Sequence, residues 1–488
     1  MRCRVPPPLN TGESATAASS DVEAAAGLEA DLLPDPVPPG RVGRLTEANL
    51  DRHIWGLTLP AVAESLLQTA LLLVDTKMVS HYGTVPVAAS AISGTILWRA
   101  HMTFGCIERG TTAMVARYSG AGDHERVSRT LAQSLMLAAL IGLALSLAGA
   151  ALAESLLRWM RAAPDVVAAG TPYLRVVFLA TIPRLVFFVA SAALRGTGDS
   201  RTPMHISFWM NVLHIGLNAV LIYGLFGFPE LKLLGSGIST ALSLLFGAAL
   251  IAWVCASGRA RFCLRARHFV PHPPTMRTIL RLAVPGFADE AITSVGYLAF
   301  SATIARLGTA VLAAHAITAR TEAISFMAGF GFSVAAASLV GRSLGQGSTE
   351  LARRTFSKST HYCVAVMTGV ALMLIFAGEG IMDLLFTPEE SVASVAHMLI
   401  LIAAVQQPLL AVVFTLTGGL RGAGDTLSPM AASFAGNLLV RLLVVYWLAF
   451  PMGLGIVGVY LGTCIDWVVR MGVLLWAYHG GRWRRVKV

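Results

Sequence analysis

The chain has 488 residues, of which 55% are apolar and only 13% charged, with a mean hydropathy of +0.67. A soluble chain of this length would fold as several domains with far more charge on their surfaces, so that class is excluded. The net charge of +10 is scattered as arginines in short loops between apolar runs, which argues against a nucleic-acid-reading face.

In chain order, residues 1–45 come first. They are rich in Pro and Ala and carry Glu13, Asp21, Glu23, Glu29 and Asp31. The stretch has no apolar core of a secretory signal, and its acids argue against a transit peptide, so it reads as a disordered cytoplasmic tail. About twelve apolar segments follow, each near the ~20 residues needed to cross a hydrocarbon core: roughly 54–79, 86–114, 130–153, 170–194, 203–227, 235–256, 280–305, 311–340, 356–378, 393–417, 430–450 and 455–478. In lipid the backbone must satisfy its own hydrogen bonds, so these are helices.

The loops orient them. Arg117, Arg126 and Arg129 follow span 2, and Arg195 and Arg201 follow span 4. Six arginines from Arg259 to Arg281 follow span 6, and Arg342, Arg353, Arg354 and Lys358 follow span 8. Arg482, Arg484, Arg485 and Lys487 close the chain. The opposite loops hold few cations, which predicts both termini on the cytoplasmic side of the inner membrane. The six cysteines include no CxxC pair, so neither a zinc site nor a disulfide framework is indicated, and no metal or cofactor is expected. There is no HExxH, no GxSxG in a suitable turn and no Walker A sequence, so nothing points to an enzyme or an ATP-driven pump.

The sequence repeats itself. "LPAVAESLLQTALLLVDTKMVSHYGTVPVAASAI" from Leu59 resembles "VPGFADEAITSVGYLAFSATIARLGTAVLAAHAI" from Val284. A constant offset of 225 pairs Pro60 with Pro285, Gly83 with Gly308, and Arg117, Gly120 and Gly122 with Arg342, Gly345 and Gly347. "LRGTGDSRTPM" and "LRGAGDTLSPM" then align Met204 with Met430, one residue further, as Asn211 does with Asn437. Each half holds six spans. An even number inserts both halves with the same orientation, which predicts a parallel repeat about an axis along the membrane normal. The expected fold is therefore all-α integral membrane, with twelve transmembrane helices in two pseudo-symmetric six-helix lobes at 46–258 and 280–479. A linker at 259–279 joins them, and a basic tail occupies 480–488. Such paired bundles suit alternating access; duplicated bundles can also be static scaffolds or sensors. The repeated LRGxGD[ST]xxPM loop has a structural explanation: its glycines end one helix, Asp199 or Ser200 caps the next, and Pro203 suits a first turn.

Several ionisable residues lie inside spans. Asp75 sits in "LLLVDT", and an acid at that depth marks an ion pathway or a buried interhelical contact. Asn211, His214 and Asn218 recur on one face of span 5. His214 could take part in a proton relay or pack as a satisfied core histidine. Arg99, His101, Glu108 and Arg109 lie in span 2, Arg184 in span 4, Arg320 and Glu322 in span 8, and Arg441 and Asp466 in spans 11 and 12. Most read as interhelical pairs or snorkelling ends. Arg99 and Arg184 would give a basic cavity wall suited to anionic or zwitterionic cargo.

The doubled loop, with "VDTKMVSHYGTVPVAASAI" and "AAHAITARTEAISFMAGFGFSVAAASLVGRSLGQG", resembles the multidrug and toxic compound extrusion (MATE) family, nearest in look to its DinF-like branch. The resemblance runs from about residue 46 to the end. It implies export of small organic molecules of the drug or toxic-metabolite class in exchange for inward protons or sodium ions, by a protein acting as a monomer among membrane lipids. It places Asp75 on the family's first-helix coupling aspartate, and Gln68 on a polar cavity residue of the first lobe. Ser236 and Thr240 fall on further positions of a sodium site. The chain departs from the family at His214, where many members have Asn, and at Asn218, where they have Asp. With one carboxylate gone, a proton on Asp75 is the expected coupling ion, sodium the alternative. Thr293 and Leu410 stand where some relatives carry acids in the second lobe, and Phe300 stands opposite Asp75. A lipid-linked precursor flippase of the same superfamily is the alternative function within transport.

Overall fold

The computed structural model describes residues 44–386 and 390–486, and among these it is all helix and turn, with no strand. The expected tail over 1–45 lies almost wholly outside them. The helices are α1 (Leu50–Ser80), α2 (Thr84–Phe104), α3 (Ile107–Gly120), α4 (His124–Trp159), α5 (Pro164–Leu179), α6 (Thr181–Gly196), α7 (Arg201–Tyr223) and α8 (Lys232–Ala256). In the second half follow α9 (Pro273–Ala305), α10 (Thr309–Gly345), α11 (Thr349–Phe386), α12 (Glu390–Gly422), α13 (Leu427–Ser433), a π-helical stretch at Phe434–Val440, α14 (Arg441–Ala449) and α15 (Gly455–His479).

Each predicted span falls on one helix or on a broken one, span 11 running through α13, the π-helical stretch and α14. Span 2 is broken at Gly105 and Cys106 between α2 and α3. Span 4 is bent by 47° between α5 and α6, where Ala180 leaves helical geometry. Among the described residues nine helices are long and apolar enough to cross a membrane, ten with the bent pair. The other two predicted spans, α2–α3 and α9, are helical but carry Arg99, Glu108 and Arg109, and Arg277, Arg281, Asp289 and Glu290. Large apolar side chains such as Leu72, Leu73, Leu140, Leu147, Leu245 and Leu298 are exposed, as lipid-facing helix surfaces require. Cys106, Cys255, Cys363 and Cys464 are free.

The chain forms two compact units. The first comprises Leu67–Leu97 and Gly122–Met276; the second comprises Thr46–Leu66, Trp98–Ala121 and Arg277–Val488. In the first unit α4 packs on α5 and α6, and α8 packs on α5, α6 and α7. Val79, Ala89, Val166, Ile222 and Leu233 form a core at one end. The buried Gln133 ties the linker to α4: its Nε2 donates to the carbonyls of His268 and Val270 at 2.8 and 2.9 Å, and its Oε1 accepts from the His272 amide at 2.9 Å.

In the second unit α10, α11, α12 and α15 surround two apolar cores, and α3 packs on α10 and α12. The start of α1 joins this unit through Asp51, whose carboxylate pairs with Lys358 at 2.8 Å, and through Trp55, edge-on to Phe332 at 5.4 Å. At the crossing of α3 and α10 the glycines of the repeat meet reciprocally. A Cβ on Gly120 would overlap the Arg342 carbonyl, and one on Gly345 would overlap the Arg117 carbonyl. Residue i touches j′ as j touches i′, the signature of a two-fold contact.

The duplicated loop is a duplicated cap. The Asp199 carboxylate accepts from the Thr202 amide at 3.0 Å and hydroxyl at 2.6 Å. Asp425 accepts from the Ser428 amide at 3.1 Å and hydroxyl at 2.6 Å. Gly198 and Gly424 both have φ 91°, a conformation open to glycine. The expected structural role of the motif holds, with Asp rather than Ser200 as the capping residue. Asn211 donates to the Leu67 carbonyl at 3.0 Å and Asn437 to the Thr293 hydroxyl at 3.2 Å, so repeat-related asparagines each fasten to the first helix of their half.

Candidate functional site

The sequence pattern brings Asp75, His214 and Asn218 together in the first unit. His214 and Asn218 are one turn apart on α7, so both point at the same stretch of α1. The His214 Nε2 lies 2.8 Å from Asp75 Oδ1, and Asn218 Nδ2 donates to the same oxygen at 2.5 Å. His214 is 3% exposed and Asp75 24%. The acid therefore remains reachable from outside the protein interior while its histidine does not.

Ser243 on α8 continues the chain: its hydroxyl oxygen lies 3.0 Å from the Thr240 carbonyl and 3.1 Å from His214 Nδ1. The hydroxyl has one proton to give. Given to Nδ1, it leaves a neutral imidazole whose Nε2–H donates to the Asp75 carboxylate. Given to Thr240, it leaves Nδ1–H as the donor, and Nε2 then meets Asp75–OH, or an imidazolium meets the carboxylate. The 2.8 Å contact serves the pair both without and with an added proton. The side-chain oxygen of Asn218, Oδ1, is buried and has no hydrogen-bond partner among the described residues.

The remaining sequence candidates sit at varied distances from this centre. Asn211 braces α7 on α1 through Leu67. Thr240 donates to the Ser236 carbonyl at 2.9 Å, and Ser236 is buried; no hydrogen bond links either hydroxyl to Asp75. Gln68 is exposed and outside the network. Arg184 is half-buried on α6. Gly237 of α8 presents bare backbone to the Tyr173 ring of α5. Arg99 belongs to the second unit. There it donates to the Ser294 hydroxyl at 3.1 Å and lies 5.1 Å over the Tyr297 ring.

Ser243 was missed in the sequence, although Ser236, Thr240 and Ser243 follow an i, i+4, i+7 stripe. The other intramembrane charges are chiefly interhelical pairs, as expected. Asp466, fully buried, lies between Arg441 and Arg470, each at 2.7 Å. Arg109 pairs with Glu290 at 3.2 Å, and Asp289 with Arg421. Glu322 accepts from Gln406 at 3.1 Å. No cluster of three or more metal-binding side chains occurs among the described residues.

Comparison with known proteins accords with this geometry. The MatE family model matches residues 60–220 and again residues 285–447, one match in each half. A probable multidrug resistance protein NorM of Thermotoga maritima is 29% identical over 435 residues, 89% of this chain and 93% of its own. One of the same description from Bradyrhizobium diazoefficiens is 30% identical over 431 residues, 86% and 91% of the two chains. The crystal structure of MATE in complex with MaL6 has a TM-score of 0.82 at 20% identity, covering 91% of this chain and 100% of that one. The outward-facing conformation of a multidrug resistance MATE family transporter likewise scores 0.82 at 20% identity, with 90% and 97% covered. These structures share the fold of this chain: twelve transmembrane helices in two six-helix lobes.

Proposed function

Since the chain belongs to the multidrug and toxic compound extrusion family, and is thus a multi-pass membrane transporter and not an enzyme, we propose that it is a proton-coupled antiporter exporting small organic molecules. The observation that carries this reading is a partly exposed acid on α1 hydrogen-bonded at 2.8 Å to a buried histidine on α7, Asp75 with His214. Asp75 is the loading group. His214 shares the proton with it, Ser243 turns its hydroxyl to suit the ring, and Asn218 orients the carboxylate.

Gain or loss of that proton changes the charge of the Asp75–His214 pair and reverses its hydrogen bonds, which shifts how tightly α7 is held to α1. The first half then has two packings selected by protonation, and cargo that prefers one of them is exchanged for the proton. Sodium is the weaker alternative, because a hard cation needs several oxygens and the nearest α7 side chain offers a ring nitrogen. We assign the functional halves to 46–258 and 280–479, joined by 259–279, with both termini cytoplasmic in the inner membrane. The protein acts as a monomer of DinF-like type. Arg184, in the same compact unit as Asp75, would favour anionic or zwitterionic cargo.

The test is efflux from liposomes under an imposed proton or sodium gradient, with a cargo panel. Wild-type transport should follow the proton gradient, and His214→Gln should uncouple it. Transport that follows sodium and ignores protons would overturn the assignment.

A further inference from the structure

Away from the Asp75 site, a cleft of about 970 Å³ opens in the second unit. Three stretches line it: the start of α9, the turn before α13, and the C-terminal turn after α15. They bring together Arg277, Arg281, Arg482 and Arg485, all exposed. None of the four forms a side-chain hydrogen bond or ion pair among the described residues. That sets them apart from other loop-side arginines, such as Arg126 with Asp123, Arg267 with Glu125 and Arg353 with Glu350. The carboxylate in the lining, Asp425, is buried and already accepts twice from Ser428. The cleft is therefore strongly positive.

The C-terminal arginines are held in place. Between them, Trp483 is fully buried, stacked on Tyr478 at 5.8 Å and edge-on to Phe356 at 5.1 Å. Its indole N–H donates to the Tyr478 carbonyl at 2.9 Å. Arg117 clamps the end of the chain by donating to the Val486 carbonyl at 2.7 Å. Along α9 the same face changes character. Beside Arg277 and Arg281 lie the exposed Leu280 and Val284, both in the lining, and further along come Phe287, Val295 and Leu298. Cations at the head of an exposed apolar stripe match the shape of a phospholipid: anionic head, then acyl chain.

We propose that this cleft binds an anionic phospholipid, its phosphate held by Arg277, Arg281, Arg482 and Arg485 and an acyl chain laid along Leu280, Val284 and Phe287. Arginine suits the head because its planar fork pairs bidentately with phosphate oxygens. The site is separate from the coupling site, so its occupancy is read by binding without reference to transport.

The test is native mass spectrometry of the full chain, purified in detergent and stripped of lipid, titrated with phosphatidylglycerol, phosphatidylcholine or inorganic phosphate. Phosphatidylglycerol should bind well before phosphatidylcholine, and inorganic phosphate should not displace it. Each arginine near an anionic head contributes ~1 kcal/mol, roughly fivefold in affinity. The pairs Arg277→Gln/Arg281→Gln and Arg482→Gln/Arg485→Gln should therefore each weaken binding roughly 25-fold. Arg126→Gln/Arg129→Gln, on the first unit, should bind as wild type, and elution profiles and melting temperatures check folding. Equal binding of phosphatidylcholine, displacement by inorganic phosphate, or unchanged binding in the fourfold Gln variant would each overturn the proposal.

Discussion

Replacing Gly345 by alanine probes the crossing of α3 and α10 where nothing but backbone can yield. The new Cβ would lie 2.9 Å from the Arg117 carbonyl carbon and 3.0 Å from the Ala121 amide nitrogen. Carbon atoms in contact sit ~3.5–4.0 Å apart, so the helices must part by at least ~0.6 Å. Overpacking of this kind costs ~1–3 kcal/mol, and a backbone neighbour that cannot rotate aside puts the cost near the top of that range. Alanine returns ~1 kcal/mol of helix propensity, leaving a net loss of ~2 kcal/mol, roughly 30-fold in the folded ratio. Gly369→Ala in α11 is the control, because its Cβ meets nothing within 4 Å; it should be neutral or stabilising. Gly120→Ala should cost as much as Gly345→Ala. The double variant should cost less than the sum, since one separation of the helices relieves both clashes. The assay is thermal or denaturant unfolding in detergent. Wild-type stability of Gly345→Ala, or strict additivity in the double variant, would refute the reciprocal contact.

Other outcomes follow from the coupling site. Asp75→Asn should abolish gradient-driven efflux while the protein still inserts and elutes as wild type; normal transport by this variant under either gradient would misplace the whole site. Asn218→Asp restores a second carboxylate and should raise sodium dependence in the same liposome assay. Glu322→Gln keeps shape and hydrogen-bonding reach beside Gln406, and should retain proton-driven efflux at near wild-type rates. In a background without native cysteines, Arg265→Cys should resist an impermeant thiol reagent applied to intact cells, and labelling there would reverse the assigned orientation.

The helices were legible because lipid allows little else, and the repeat was legible because its glycines and prolines carry backbone duties that side chains cannot share. His214 and Asn218 could be grouped from helical spacing alone, and the family resemblance set Asp75 on α1 beside them. Spacing reports a face but not which neighbour lies opposite at that depth. Ser243 and not Ser236 or Thr240 therefore meets the imidazole, and Gln68, on the same face as Asp75, is left exposed. The two compact units were not legible at all. Their boundaries cut through α1 and α2, because the start of α1, the end of α2 and α3 are fastened to second-half helices by Asp51–Lys358, Arg99–Ser294, Arg109–Glu290 and the paired glycines. Those are contacts between residues far apart in sequence, and no periodicity encodes them. The break at Gly105 and the π turn at Phe434–Val440 lie inside runs that hydropathy reads as continuous.

The single acid at the Asp75–His214 pair also sets how far the proposed exchange can run. In that proposal Asp75 loads one proton, and one charge is carried inward per turnover. For a neutral cargo a membrane potential of 100 mV then contributes ~2.3 kcal/mol, enough for a roughly 40-fold cargo gradient, and each unit of pH difference multiplies that roughly tenfold. A singly cationic cargo leaves as the proton enters, the charges cancel, and the pH difference alone remains to drive export. A singly anionic cargo moves two charges in the same electrical sense and gains twice from the potential. The electrical signature of turnover is thus fixed by the charge of the cargo, and a current recorded across a planar bilayer would read that charge directly.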